Sequence, residues 1–372
     1  MVRGMLTKIT PEAAAPTARE LTPRAGRLLA VAATAAATVS TTVIATVAGA
    51  GTAQAATTST VPLVVYSAQG YDSTETVAFQ KATGIPVELD DNSTGPLLTK
   101  IEAEANNPKW GLLWVDGATA FASLDDQGLL MKGWEPTVSW NTLGKESVPP
   151  DHSYIPTGIT MAGTLVYDSK VVTDPPTTWQ ELLGAKWKNE VGMNDPAVSG
   201  PTFPFVAGMM NHLGSIAAGE SFYTDLSNNG LNVYLTNGNT LAALEAGIIK
   251  LALIQSSAGI GAGLKTGGAI KVKFLDPVTA LPSAIGIDSK APKAEQLEAE
   301  KFVEFVLSPQ GQKLMQSGDP TGDSLYWPVL QGINPLPSLP PLSSIPVQNI
   351  NPYTWGPRED AINTWFTNNI VE

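Results

Sequence analysis

The 372-residue sequence contains no cysteine. That absence excludes disulfides, thiolate nucleophiles and cysteine-ligated metals. Histidine is nearly as scarce: His152 and His212 are the only two. Positive charge is thin, with 22 Lys and Arg against 34 Asp and Glu, a formal net charge of −12 and no long basic block. A surface of that kind lacks the clustered cations that bind a phosphate backbone, so no nucleic-acid partner is expected. Also missing are G-x-S-x-G, Walker A and H-E-x-x-H patterns, the commonest signatures of hydrolytic and nucleotide chemistry. The acid pairs Asp90-Asp91 and Asp125-Asp126 read as solvated turn residues, because a dedicated cation site needs several converging oxygens. No cofactor or resident metal is assigned.

What is present begins with a leader. Arg19, Arg24 and Arg27 precede "LLAVAATAAATVSTTVIATVAGAGTAQA", which reads as a positive n-region, an apolar h-region and a cleavage site after Ala55. The run is rich in Ala and Thr and poor in Leu, Ile and Phe, unlike a bilayer-spanning anchor. No cysteine follows it to carry a lipid. Residues 1–55 hold five basic and two acidic residues, so cleavage would take the net charge from −12 to −15. The expectation is a secreted or periplasmic protein that is not a lipoprotein.

The remaining chain reads as α/β. "VPLVVYS", "IPVELDDN" and "WGLLWVDG" are apolar, β-branched runs suited to strands. Helical stretches separate them: "STETVAFQKATG", with Ser73 as cap and Gly84 as stop, "STGPLLTKIEAEANNP" and "ATAFASLDDQGLL". This alternation predicts a parallel sheet with crossover helices. Near residues 154–172 two strands follow without a helix, and a second α/β stretch then begins. "GIGAGLKTGG" reads as a mobile Gly-rich loop. "KAEQLEAEKFVEFVLSPQGQKLM" reads as one amphipathic helix with Leu297, Phe302, Phe305 and Val306 on one stripe. The layout expected is two lobes, residues 60–157 with 276–372 and residues 158–275, each a mostly parallel sheet flanked by helices. A cleft between them is the default ligand site.

In open parallel sheets, ligands lie beyond the carboxyl ends of the strands. Small polar residues recur there: Ser67 and Gln69 in "YSAQG", Ser93, Thr94 and Gly95 in "DDNSTG", Asp116 in "VDGAT", Ser256 and Ser257 in "IQSSAG". Ser199, Gly200 and Thr202 in "NDPAVSGPTFPF" add a fifth group. Such turns at helix starts offer backbone N–H groups, hydroxyls and a partial positive charge, which suit a phosphate, phosphonate or carboxylate. Ser, Thr and Gly are equally ordinary caps and turn residues. Pro201 removes one N–H donor from the last group. His152 is the one candidate base for an exported enzyme, but no nucleophile–base–orienter set accompanies it.

"TTWQELLGAKWKNEVGMNDPAVSG", "AFQKATGIPVELDDNSTGPLLTKIEAEANNP" and "GDSLYWPVLQGINPLPSLPPL" resemble the extracellular solute-binding proteins of bacterial ABC importers, in the ferric-iron, phosphonate and sugar-phosphate group. The resemblance implies a two-lobed type II periplasmic-binding-protein fold, a small-molecule solute, delivery to a membrane permease, a monomer and no enzymatic activity. It also implies an anion seat at Ser199, Gly200 and Thr202. Ferric-ion members carry adjacent tyrosines where this chain has Ser256 and Ser257, which argues against free ferric ion. An iron chelate, or a cation of polyamine or thiamine type beside Asp90, Asp91 and Asp116, stays open as an alternative.

Overall fold

The computed structural model describes residues 61–319 and 324–372, so the leader expected at residues 1–55 lies outside the described residues. From Leu63 the chain alternates strand and helix: β1 (Leu63–Ser67), α1 (Asp72–Thr83), β2 (Val87–Asp91), α2 (Thr94–Ala103), β3 (Leu112–Asp116) and α3 (Ala118–Asp126). β1 pairs in parallel with both β2 and β3. α1 stops at Gly84, as expected, because its φ of 74° is one that glycine adopts without strain. β3 is buried on both faces. Leu112 and Trp114 join one core with Leu63 and Phe302; Leu113 and Val115 join another with Ile101 and Phe121. Successive side chains point to opposite faces, so an uninterrupted apolar run supplies two cores at once.

A short helix, α4 (Thr142–Ser147), follows, capped by Asn141, whose side chain accepts the Gly144 N–H at 2.9 Å. Then β4 (Ile155–Ala162) and β5 (Thr164–Asp168) run consecutively, but in different sheets. The passage between them is Gly163, with φ 67°; a Cβ there would enter the Phe205 ring. β4 therefore stays with the first sheet as far as Ala162, past the lobe limit read at residue 157.

The second sheet is built from β5, β6 (Val191–Asn194), β7 (Asn232–Tyr234), β8 (Leu251–Ile254) and β9 (Ile270–Lys273), in the order β7-β6-β8-β5-β9. β6 is parallel to β7 and β8, while β5 is antiparallel to β8 and β9. Helices α5 (Thr202–His212), α6 (Ile216–Asn228), α7 (Asn237–Glu245) and α8 (Ser256–Lys265) complete this part. α8 occupies most of the Gly-rich stretch read as a mobile loop. Gly259 faces Val166 and Val272 so closely that a Cβ would meet their methyls at 2.6 and 2.8 Å. The glycines thin a helix for close packing on the sheet.

The chain returns to the first sheet through β10 (Val278–Ile287), which is antiparallel to both β3 and β4. The helical stretch after it is two helices, α9 (Lys293–Val306) and α10 (Pro309–Ser317), because Ser308 caps a new start and Pro309 occupies its first turn. The buried stripe of α9 is Ala299, Phe302, Val303 and Val306; Leu297, expected on it, is 46% exposed. The proline-rich segment leads to β11 (Val347–Gln348), parallel to β10, giving the order β11-β10-β3-β1-β2 with β4 on β10. Two last helices, α11 (Pro352–Trp355) and α12 (Glu359–Phe366), follow. The end of the chain touches both parts: Gly356 lies close against the backbone of Thr119 in α3, and the Phe366 ring meets Tyr223 of α6 at 5.4 Å. Two sheets flanked by helices result, the α/β layout expected from the sequence, but both sheets are mixed rather than mostly parallel because β4, β5, β9 and β10 pair antiparallel. Among the described residues no helix is long and apolar enough to cross a membrane.

Candidate functional site

The carboxyl ends of β1, β2, β3, β6, β7 and β8 converge on one cavity of about 430 Å³. Gln69, Ser93, Thr94, Asp116, Ser199 and Gly200, all expected site residues, line it. Four helices also open onto it with their first residues: α1 through Asp72 and Ser73, α2 through Ser93 and Thr94, α5 through the preceding Ser199–Pro201 turn, and α7 through Thr236, Asn237 and Gly238. α1 and α2 belong with the first sheet and α5 and α7 with the second, so both lobes supply the wall.

The other expected residues lie nearby in different roles. The Ser67 hydroxyl is buried and accepts the Gln69 N–H at 3.1 Å, holding the turn that presents Gln69. Thr202 is buried at the start of α5, its N–H donated to the Ser199 carbonyl at 2.9 Å. Ser256 is buried with its hydroxyl 2.8 Å from Thr160 Oγ1, and it accepts the Met161 N–H at 3.1 Å. Ser257 is also fully buried. None of these four lines the cavity. Gly95 lines a neighbouring pocket instead. It donates its N–H to the Val198 carbonyl at 3.1 Å, so that α2 touches the loop ahead of α5. A Cβ on Gly95 would collide with the Ala197 carbonyl, and one on Gly200 with the Thr94 hydroxyl.

A buried polar network floors the cavity. Asp116 Oδ1 accepts from Gln69 Nε2 at 3.0 Å. Its Oδ2 accepts from Gln255 Nε2 at 2.9 Å and lies 2.8 Å from the Tyr326 hydroxyl. Gln255 Oε1 accepts from Asn237 Nδ2 at 3.2 Å, and Asn237 Oδ1 from Asn194 Nδ2 at 2.7 Å. Thr240 donates to Asn194 Oδ1 at 2.6 Å. The network therefore runs from Gln69 in the first lobe to Thr240 in the second. Burial pushes the Asp116 carboxyl up to about 6, against these hydrogen bonds, which favour the charged form.

Tyr326, Gln255, Asn237 and Asp72 escaped the sequence reading. Gln255 directly precedes the two serines that were chosen, and the one-residue offset decides which side chain faces the cavity. His152 pairs with Glu135 through Nδ1 at 3.2 Å and does not line the cavity. Asp90 pairs with Lys100 at 2.6 Å. Among the described residues no group of three or more His, Cys, Asp or Glu could hold a metal ion.

Two sheets with a shared cavity beyond their strand ends define a two-lobed solute-binding protein. The chain belongs to the family of bacterial extracellular solute-binding proteins, whose family model matches residues 76–340. It is similar to a Salmonella paratyphi A protein named "Putative 2-aminoethylphosphonate-binding periplasmic protein", with 24% identity over 241 residues, 63% of this chain and 68% of that one. Two solved structures share the fold. One is the periplasmic binding protein AfuA of Actinobacillus pleuropneumoniae with fructose-6-phosphate bound. Its TM-score is 0.74 at 16% identity, covering 84% of this chain and 99% of that one. The other is iron-bound HitA of Pseudomonas aeruginosa, with TM-score 0.68 at 21% identity, covering 82% and 98%. Proteins of this family bind small solutes.

Proposed function

We propose that this chain is the exported solute-capturing component of an ABC importer, and that its solute bears a phosphonate or phosphate group. The observation that carries the reading is the convergence of four helix starts, α1, α2, α5 and α7, on one cavity of about 430 Å³. Each helix start brings the positive end of its dipole, although the Gly95 and Thr202 N–H groups are donated to the Val198 and Ser199 carbonyls and Pro96 and Pro204 have no N–H to offer. Together they provide for an anion without a lysine or arginine. Hydroxyls of Ser73, Ser93, Thr94 and Ser199 along the same wall add donors. The cavity volume suits a small molecule. The phosphonate named for the Salmonella relative agrees with this class. A bare ferric ion fits less well: the tyrosine on the cavity wall, Tyr326, has its hydroxyl against Asp116 and Gln69.

Titration calorimetry of residues 56–372 against alkylphosphonates, aminoalkylphosphonates and phosphate monoesters tests the proposal. Saturable binding of one class is the expected result. Silence across that panel, with tight binding of a ferric chelate or a thiamine-type cation, would overturn it.

A further inference from the structure

We infer that Gly238, on the wall supplied by the second lobe, sets the size of the solute, and that the body of the solute beyond its anionic group lies over this residue. This rests on the reading that the 430 Å³ cavity is the solute site.

Gly238 lines that cavity from the first turn of α7. Glycine answers no structural need there. The backbone at Gly238 is helical and lies outside the left-handed region that favours glycine. A Cβ added to it would meet one atom within 4 Å, Thr236 Oγ1 at 3.8 Å, which is ordinary van der Waals contact. Gly200, on the same cavity, is the opposite case, since a Cβ there would collide with the Thr94 side chain. Glycine within a helix is less stable than alanine, because it gives up more backbone freedom on folding. A residue that costs stability, that neither backbone nor packing requires, and that lines a cavity keeps space for what the cavity holds.

The polar groups beside Gly238 decide which part of the solute it meets. The Thr236 hydroxyl donates to Asn239 Oδ1 at 2.8 Å and accepts the Asn239 N–H at 3.4 Å. The Asn237 amide donates to Gln255 Oε1 at 3.2 Å and accepts from Asn194 Nδ2 at 2.7 Å. These side chains are already committed to protein partners. The hydroxyls of Ser73, Ser93 and Thr94 stand instead on the wall supplied by the first lobe. They serve the anionic group, and the bare backbone at Gly238 is left to the carbon-bearing remainder of the solute. A side chain at position 238 would enter that space, excluding the larger members of a ligand series and sparing the smallest.

The test measures methylphosphonate, propylphosphonate and phenylphosphonate by titration calorimetry on the wild-type chain, on Gly238→Ala and on Gly238→Leu. Gly238→Leu should weaken phenylphosphonate by about tenfold or more, the scale of an overpacked site, and leave methylphosphonate within about threefold. The solute-free Gly238→Ala chain should melt about 1–3 °C higher than the wild type, since alanine suits a helix better. Equal losses for all three phosphonates in Gly238→Leu, or no loss for any, overturn the size inference and leave the anion reading standing. A lower melting temperature for Gly238→Ala also overturns it, because the glycine would then meet a structural need. Absence of binding by all three compounds to the wild type overturns both readings. If Gly238→Leu does not fold, Gly238→Ala carries the comparison, with a phenylphosphonate loss about threefold greater than the methylphosphonate loss expected.

Discussion

Gly95 N–H and the Val198 carbonyl, 3.1 Å apart, join helix α2 of the first lobe to the loop that opens α5 in the second. Around this contact Gly95 lies against Ala197, and Gly200 against Thr94, with no space for a side chain at either glycine. The lobes meet backbone to backbone, beside the cavity they share.

Gly95→Ala and Gly200→Ala should each weaken solute binding by about tenfold or more, because a methyl forces the lobes apart, and each tenfold costs about 1.4 kcal/mol. Calorimetry with small-angle scattering checks this; unchanged affinity with an unchanged radius of gyration on solute addition refutes it.

Gln255→Ala removes the amide that crosses from the second lobe to Asp116 Oδ2 at 2.9 Å. The expected result is a loss of about 1–3 kcal/mol in combined stability and affinity, since the Asn237 amide loses its acceptor as well. Asp116→Asn should behave similarly, because its amide group would present a donor to either Gln69 or Gln255. Denaturant melts with and without solute measure both.

Glu75 gives a pH prediction. Burial pushes its carboxyl up to about 9 from an ordinary value of 4.5, and neither oxygen has a hydrogen-bond partner. Between those values the folded chain holds a proton that the unfolded chain has lost. Stability therefore falls as pH rises through this window, by up to ~1.4 kcal/mol per unit. Glu359, pushed up to about 8 chiefly by burial, acts in the same direction. The melting temperature should drop from pH 6 to pH 9, and Glu75→Gln should flatten that drop and be the more stable protein at pH 8. A wild-type profile that rises across this range would contradict the argument.

Phe366→Ala should cost about 3–5 kcal/mol, the usual range for a buried aromatic. Phe366 is fully buried against Tyr223, so its loss releases the last helix from α6. Chemical denaturation measures the cost. A change below 1 kcal/mol would mean that this packing is not a structural tie.

The sequence made the strand–helix alternation legible because many of its strands are short, mostly apolar runs. β1, β3 and β8 are of this kind. Much of the cavity was legible too, since Gln69, Ser93, Thr94, Asp116, Ser199 and Gly200 follow strand ends. What was not legible depends on contacts between distant segments. Tyr326 reaches Asp116 across 210 positions of chain, and Gln255 across 139. No local pattern distinguishes Gln255 from the serines beside it. Nor does periodicity reveal that Gly95 serves an approach between lobes, or that Gly259 thins a helix. Both are properties of the partner surface. The α9–α10 break was readable in Ser308-Pro309, but the apolar residues on either side masked it.

Because β3 is apolar on both faces, no polar face tells it which way to sit. Its register rests on volume and one buried donor: Trp114 fills a space among Leu63 and Phe302 that Leu113, in the core of Ile101 and Phe121, would leave partly empty, and its indole N–H is donated to Thr157 Oγ1 at 3.3 Å. A slip of one residue would exchange these two and carry Asp116 off the cavity floor. The position of the charged group that the network is built around is thus set by the bulk of an indole two residues upstream.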